Sequence, residues 1–311
     1  MEDLASEASR LLNASLSGST WNSYNRAIEN FNRFRATYDL GLQWPAHETA
    51  IVSYIAYLSI EGWAHSTICL HLAAIAFYHK INSWPDPTDS FIIKKLREGS
   101  RRSNRSFDDR RPITFELLKR LQQVLPSVCK SNFEATLFRA AFLLAYFGFL
   151  RVGEYACASQ KCDGSHVLSV QDISFDQACM YVRIRFSKTD QRGNSTLIRI
   201  EEMGDTVDLS MCPVRALRQY LAIRPKTAGL PLFLHFDSEV LTKHQVNRVL
   251  KLCVSVLGLA TQDFSPHSFR IGAATSAAMQ GVQEEAIKRM GRWRSNSVRT
   301  YIRPSRLVSL I

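Results

Sequence analysis

The 311-residue sequence has no apolar run near the roughly 18–20 residues that a membrane-spanning helix needs. Its first ten residues carry more acidic than basic groups and lack the apolar centre of a secretory signal peptide. We therefore expect an intracellular protein without a membrane partner. A composition of 46% hydrophobic and 22% charged residues is typical of a globular chain with a core, and it excludes disordered, collagen-like and coiled-coil proteins.

The sequence also lacks a disulfide framework, because its seven cysteines are odd in number and scattered along the chain. This usage favours reduced thiols, as in a cytosol or nucleus. Cys157, Cys162 and His166 lie close together, but no C-x-x-C pair completes a zinc site. We interpret them as small buried residues, with a bound metal as the alternative.

Acidic residues are scarce relative to basic ones: 28 Asp and Glu stand against 39 Lys and Arg, a formal net charge of +11. Residues 1–93 carry a net −4, residues 94–111 carry +5 and the remainder carries +10. A positive surface attracts polyanions, of which nucleic acid is the commonest. The candidate DNA contacts in the basic segment are Lys94, Lys95, Arg101, Arg102, Arg105, Arg110 and Arg111.

Helical periodicity organises the first part of the chain. Apolar residues spaced three and four apart from Trp21 to Arg35 predict an amphipathic helix that Ser19 or Thr20 could cap. Further helices are predicted over 47–60, 66–81 and 88–100, which together make a helical domain of residues 1–100. The polar, basic residues 101–112 predict a linker, with a solvated loop as the alternative reading.

Residues 113–311 predict a second domain that is also mostly helical. The helices are expected over 114–125, 132–147, 213–223, 242–257, 266–280, 282–290 and 297–302. Between them, residues 167–200 alternate, with Val182, Ile184 and Phe186 on one face and Arg183 and Arg185 on the other. The predicted fold class is mainly α with a small antiparallel β-sheet, in two domains.

Two short segments carry candidate phosphate-binding groups. In Ser265-Pro266-His267-Ser268-Phe269-Arg270, the serine and proline suit the start of a helix, where His267 and Arg270 then share a face near the positive helix end. That arrangement suits a phosphate, although such a pair is more often a surface pair without function. Arg151 lies between apolar neighbours and needs an anionic partner, either a phosphate or nearby Glu154.

Near the end of the sequence, Tyr301 lies among arginines in Arg299-Thr300-Tyr301-Ile302-Arg303, which makes it a candidate nucleophile. The order L-R-x-G-E, a lysine in a hairpin turn, H-x-x-R, G-x-W and a late tyrosine resembles the tyrosine recombinases of the phage integrase superfamily. The segments HSFRIGAATSAA and GRWRSNSVRTYIR most resemble the recombinases of DIRS-type retrotransposons and crypton-type elements, or host genes derived from them. The resemblance covers nearly the whole chain and is strongest over 140–160 and 264–304.

The resemblance implies a helical core-binding domain and a catalytic domain that clamp DNA between them, with no metal or cofactor. The catalytic residues carried over from the family pattern are Arg151, Lys188, His267, Arg270, Trp293 and Tyr301. The two arginines and His267 would bind the phosphate, Lys188 would protonate the leaving oxygen, and Tyr301 would form a 3′-phosphotyrosine. One departure is that Trp293 and Tyr301 are eight residues apart, where better-known members have nine.

Several functions are compatible with these residues. The first is a site-specific recombinase that integrates or excises a mobile element, and the second is a domesticated descendant that binds DNA without cutting it. A type IB topoisomerase shares the phosphotyrosine chemistry, but the sequence motifs of this chain resemble those of integrases. The expected partners are double-stranded DNA and further copies of the chain, as a dimer on one site and a tetramer in a synapse, in the nucleus. The apolar tail, Ile302 with 307–311, packs on its own domain or on a neighbouring protomer.

Overall fold

The computed structural model describes residues 2–103, 108–161, 164–185, 195–204, 208–227 and 229–303. The chain divides into two compact units, Met1–Asp108 and Asp109–Ile311. The division falls within the segment that the sequence predicts as a linker. Within the part of the chain that the structure describes, every helix is too short or too polar to cross a lipid bilayer.

The regular secondary structure of the first unit is entirely helical within its described residues. Its helices are α1 (Glu2–Ala14), α2 (Gly18–Thr37), α3 (Glu48–Ile60), α4 (His65–Ile81) and α5 (Phe91–Ser103), with a 3₁₀ turn at Pro87–Asp89. The apolar faces of α2 to α5 meet in a core around Phe31, Ile51, Tyr54 and Ile75. This agrees with the predicted helical bundle.

The helix boundaries of this unit differ from the prediction in three places. Helix α1 was not predicted. Helix α2 begins earlier than expected, because the Ser17 hydroxyl, rather than Ser19 or Thr20, accepts the backbone N–H of Thr20 at 3.3 Å. Helix α5 begins after the 3₁₀ turn and continues to Ser103, so Arg101 and Arg102 lie on a helix and not in a linker.

The second unit has seven α-helices and one sheet in its described residues. The helices are α6 (Phe115–Val128), α7 (Asn132–Phe147), α8 (Val152–Tyr155), α9 (Pro213–Ile223), α10 (Lys243–Val256), α11 (His267–Met279) and α12 (Glu284–Met290). The strands β1 (Ile173–Phe175), β2 (Cys179–Ile184) and β3 (Thr196–Glu201) form an antiparallel meander, with Val182 opposite Ile173 and Ile198. The mainly helical fold with a small antiparallel sheet is confirmed.

Helix α7 is the centre of the second core, because its residues from Leu137 to Tyr146 are apolar or small on almost every side. It packs against α6, α9 and α11. Its last turn ends at Gly148, and the chain then reverses into α8. This reversal lies beside the first turn of α11, since Arg270 hydrogen-bonds to the Phe149 carbonyl. The core helices therefore hold together two segments that are far apart in sequence.

Three predicted details of the second unit are wrong. The Ser265 hydroxyl does not cap α11: it is buried without a hydrogen-bond partner among the described residues, while the Ser265 N–H donates to the Ser268 hydroxyl at 3.1 Å. Helix α12 begins at Glu284 and not at residue 282. The expected last helix is only a 3₁₀ turn, Asn296–Thr300, directly before Tyr301.

Candidate active site

Arg151 is positioned by the turn between α7 and α8. Phe149 adopts a left-handed conformation (φ 49°) that reverses the chain, and Arg151 is then the N-cap residue of α8. The buried Glu154 carboxylate accepts the Arg151 backbone N–H at 2.9 Å and its Nη1 at 3.1 Å. The Arg151 side chain is still 19% exposed. Glu154 is therefore the intramolecular partner, and part of the guanidinium remains accessible to an anion.

Arg270 approaches the same turn from α11 and is fully buried. Its guanidinium donates to the Phe149 carbonyl at 2.8 Å and to the Gly291 carbonyl. Burial lowers the pKa of Arg270, and repulsion from Arg151 and Arg292 lowers it further. A buried cation that is held by carbonyl dipoles, with like charges nearby, is a site that an anion would stabilise.

Tyr301 lies against two other aromatic side chains that the sequence predicted as catalytic. The Tyr301 ring centroid is 5.0 Å from that of His267 and 4.7 Å from that of Trp293. The Arg270 guanidinium carbon lies 4.4 Å from the Trp293 centroid and 5.6 Å from that of Tyr301. The eight-residue spacing therefore still brings Trp293 onto the tyrosine. The Trp293 Nε1 is buried without a hydrogen-bond partner among the described residues.

The Tyr301 backbone is fixed by a residue that the sequence analysis missed. Thr275 of α11 is fully buried, and its hydroxyl donates to the Tyr301 carbonyl at 3.1 Å while accepting the Arg303 N–H at 3.1 Å. The Tyr301 N–H itself donates to Val298 at 2.9 Å. The sequence feature that could have indicated this role is a threonine that lies among small residues on the same helix as Arg270.

Arg292 is a third arginine of the site, and the sequence analysis also missed it. Its side chain is 8% exposed and its Nη2 lies 2.7 Å from Glu154 Oε2. Burial lowers the pKa of Arg292, whereas the Glu154 carboxylate raises it. Its place between Gly291 and Trp293 was the only signal in the sequence, since nothing there indicates which way its side chain points.

Basic side chains line one exposed face of α10, here called the α10 basic face: Lys243, His244, Arg248 and Lys251. Within the described residues, none of them takes part in an ion pair. The face begins next to α8, because a methyl group on Gly153 would lie 3.1 Å from Lys243 Nζ. Lys and Arg side chains on an exposed helix face suit contact with a nucleic-acid backbone.

The predicted DNA contacts in the basic segment occupy different environments. On α5, Lys95 and Arg102 both pair with Glu98, and Arg101 is exposed. Lys94 pairs with Asp89 at 3.4 Å. The structure places Arg110 and Arg111 in the second unit, where both are half-buried. Arg105 and the predicted catalytic Lys188 lie outside the described residues.

No metal centre is formed by the described residues, among which no three His, Cys, Asp or Glu side chains lie close enough to hold an ion. Of the cysteines considered for zinc, Cys157 is buried and Cys162 lies outside the described residues. The remaining described cysteines, Cys69, Cys129, Cys179, Cys212 and Cys253, are free thiols.

Arg270, His267 and Trp293 lie around Tyr301, and Arg151 lies on the turn that Arg270 contacts, which is the arrangement expected of a tyrosine recombinase. Residues 114–306 match the phage integrase family, and the chain belongs to that family. Over 310 residues it is 25% identical to an integrase/recombinase xerD homolog from Selenomonas ruminantium, covering 96% of this chain and 84% of that protein.

Solved structures of recombinases share the fold. The Tn1549 transposon integrase in complex with transposon right end DNA has a TM-score of 0.64 at 14% identity and covers 96% of this chain and 93% of its own. The XerH site-specific recombinase bound to its difH substrate has a TM-score of 0.62 at 14% identity, with coverages of 93% and 78%. A lambda integrase dimer bound to a core site has a TM-score of 0.60 at 16% identity, with coverages of 97% and 76%.

Proposed function

We propose that this protein is a site-specific DNA recombinase that cuts and rejoins strands through a covalent 3′-phosphotyrosine at Tyr301. The observation that carries the proposal is the contact of the Tyr301 ring with His267 and Trp293, with the buried Arg270 guanidinium 5.6 Å away. These groups come from separate segments of the chain. They meet at one tyrosine, near the Arg151 and Arg292 guanidiniums, and such a set of groups can stabilise the charges of phosphoryl transfer.

The chemistry follows from the charges. The Tyr301 oxygen attacks the phosphorus and passes its proton to the neighbouring His267 imidazole, and this loss is costly at neutral pH because the pKa of a free tyrosine is about 10. Charge moves onto the phosphate oxygens, where the Arg151 and Arg270 guanidiniums offset it without a metal. The buried Trp293 N–H is a further donor for such an oxygen.

The second half of the step breaks the bond between phosphorus and the 5′ oxygen. That oxygen leaves with the bonding electron pair and takes a proton, for which we propose the Lys188 ammonium. The phosphotyrosine retains the phosphodiester energy, so a 5′ hydroxyl from another strand reverses the step without ATP.

We further propose that the protein acts on a mobile element, in the nucleus, as a dimer on one site and a tetramer on two. The sequences of residues 267–278 and 291–303 support an origin in a DIRS-type or crypton-type element. The xerD homolog and the transposon integrase described above support recombination on DNA. The α10 basic face would lie along the backbone next to the cleaved phosphate.

The test is covalent capture on a nicked duplex whose sequence is first selected from a random pool by the protein itself. The wild type should yield a denaturation-resistant protein–DNA adduct, and Tyr301→Phe should yield none while its DNA affinity stays within a few fold, since only one hydroxyl is lost. Tyr38→Phe, which removes a hydroxyl from an exposed tyrosine of the other unit, is the matched control. An adduct from Tyr301→Phe would refute the nucleophile. Specific binding without an adduct from the wild type would identify a protein that binds DNA without cutting it.

The same selected DNA tests the α10 basic face through salt dependence. Changing Lys243, Arg248 and Lys251 together to Gln should reduce the slope of log affinity against log salt by roughly 2–3, since each phosphate contact contributes about 0.9. An unchanged slope would show that the α10 basic face does not contact the DNA phosphates.

A further inference from the structure

Arg292 owes its orientation to an unusual backbone conformation. It has a φ of 57°, in the left-handed region that residues with a Cβ rarely adopt. Trp293, the next residue, packs on Tyr301. The reversal at Arg292 directs its own side chain away from that aromatic cluster and into the turn that carries Arg151. A strained conformation of this kind persists only where the surroundings hold it, and such positions cluster at functional sites.

The contacts of Arg292 tie that turn together. Its Nη1 donates to the Gly148 carbonyl at 3.1 Å, and its Nη2 donates to the Phe149 carbonyl at 3.3 Å and to Glu154 Oε2 at 2.7 Å. The Phe149 carbonyl also accepts from Arg270. Arg292 therefore joins the turn, the first residues of α8 and the segment before Trp293.

Two arginines thus share one buried carboxylate. Glu154 Oε1 accepts from Arg151 Nη1 at 3.1 Å, while Oε2 is occupied by Arg292 and by the Arg151 backbone N–H. With Oε2 occupied, the Arg151 guanidinium donates to the carboxylate through Nη1 alone, and its other N–H groups stay available. Without Arg292, a fork-to-fork pair between Arg151 and Glu154 would become possible, and that geometry is the strongest one available to an arginine and a carboxylate.

We propose that Arg292 is a positioning residue that keeps Glu154 from capturing Arg151, so that Arg151 remains directed at the phosphate. The inference rests on the proposed function and extends it to a residue that acts through Glu154. It also explains why a carboxylate can lie within a site for an anion: Arg292 matches the carboxylate charge, and the other two arginines remain in excess.

The test is a double-mutant cycle of wild type, Arg292→Met, Glu154→Gln and the double variant, in single-turnover adduct formation. Arg292→Met should slow adduct formation on the order of 10²-fold, the scale of a misplaced catalytic group. The double variant should recover most of that loss, because a neutral Gln cannot form the charged fork with Arg151. A merely structural role predicts the opposite, since the second buried change would then add to the damage.

Arg292→Lys covers the case in which Arg292→Met does not fold. Lysine can still occupy Glu154 Oε2 but cannot also reach both carbonyls, so cleavage within a few fold of wild type is expected. If Arg292→Lys is as slow as Arg292→Met, or if the double variant is slower than Arg292→Met, the proposal is wrong.

DNA affinity decides the question even if the wild type forms no adduct. Arg292→Met should weaken binding to the selected duplex as much as Arg151→Ala does, and the double variant should restore it. If the wild type forms no adduct, the proposed cleavage is refuted, but the DNA affinities of the variants can still be compared. If Arg292→Met binds DNA as tightly as the wild type does, Arg292 does not position Arg151.

Discussion

Replacing Thr275 by Val should release the segment that carries Tyr301 while leaving the core nearly intact. The Thr275 side chain is fully buried, and Val fills almost the same space. Two hydrogen bonds are lost, one to the Tyr301 carbonyl and one from the Arg303 N–H, both 3.1 Å long. Each contributes about 0.5–1.5 kcal/mol net, so docking of the segment weakens by about 1–3 kcal/mol. At 1.4 kcal/mol per tenfold, this corresponds to roughly 5–150-fold.

Two assays follow the effect. Hydrogen exchange of the Arg303 amide should accelerate by that factor, and it needs no substrate. Adduct formation should slow by up to the same factor, because an undocked tyrosine is no longer held against His267 and Trp293.

Thr275→Ser is the matched control, since it keeps the hydroxyl and loses a buried methyl group. It should retain slow amide exchange and adduct formation, yet lose about 0.8 kcal/mol of stability. Thr275→Val should therefore accelerate exchange of the Arg303 amide far more than Thr275→Ser does. If Thr275→Val exchanges the Arg303 amide as slowly as the wild type does, the threonine does not hold this segment.

Two further predictions concern stability. Gly272→Ala should destabilise the second unit by about 1–3 kcal/mol or more in urea unfolding, because its Cβ would lie 1.8 Å from the Ile113 carbonyl oxygen; Gly99→Ala, which meets nothing within 4 Å, should not destabilise. Burial lowers the pKa of His71, which bonds to the Tyr54 hydroxyl at 2.8 Å. Below the unfolded pKa of about 6.5, only the unfolded state gains this proton, so the urea midpoint should fall towards pH 5, and less so in His71→Gln.

Much of the fold was predictable because its elements carry strong local patterns. Helix α7 is apolar over most of its length and was predicted at its observed bounds. The alternation of Val182 and Ile184 predicted the sheet, although it did not give the ends of each strand. Helix α1 was missed although Leu4, Leu11 and Leu12 recur at helical spacing; in the structure they remain exposed. The caps were less predictable, because several hydroxyls near each start could serve, and Ser17 lies just outside the predicted helix.

The site was predictable in its residue types but not in its supporting contacts. Arg151, His267, Arg270, Trp293 and Tyr301 were singled out by their order in the sequence, and the structure brings them together. The Arg292–Glu154 contact spans 138 residues and depends on one left-handed φ at a residue that usually avoids it. No local periodicity records such a contact.

The electrostatics of the site suit a phosphodiester. Arg151 and Arg292 pair with one carboxylate, Glu154, and Arg270 lies near it, so three positive charges meet one negative charge among the described residues of a largely desolvated site. Burial of unmatched cations opposes folding, and backbone carbonyl dipoles of the turns at Phe149 and Gly291 offset part of that cost. The same hydrogen bonds fix the guanidiniums before any substrate arrives. A DNA phosphate would therefore meet donors that are already oriented, and the charge that develops as the tyrosine attacks would be stabilised without reorganisation of the site.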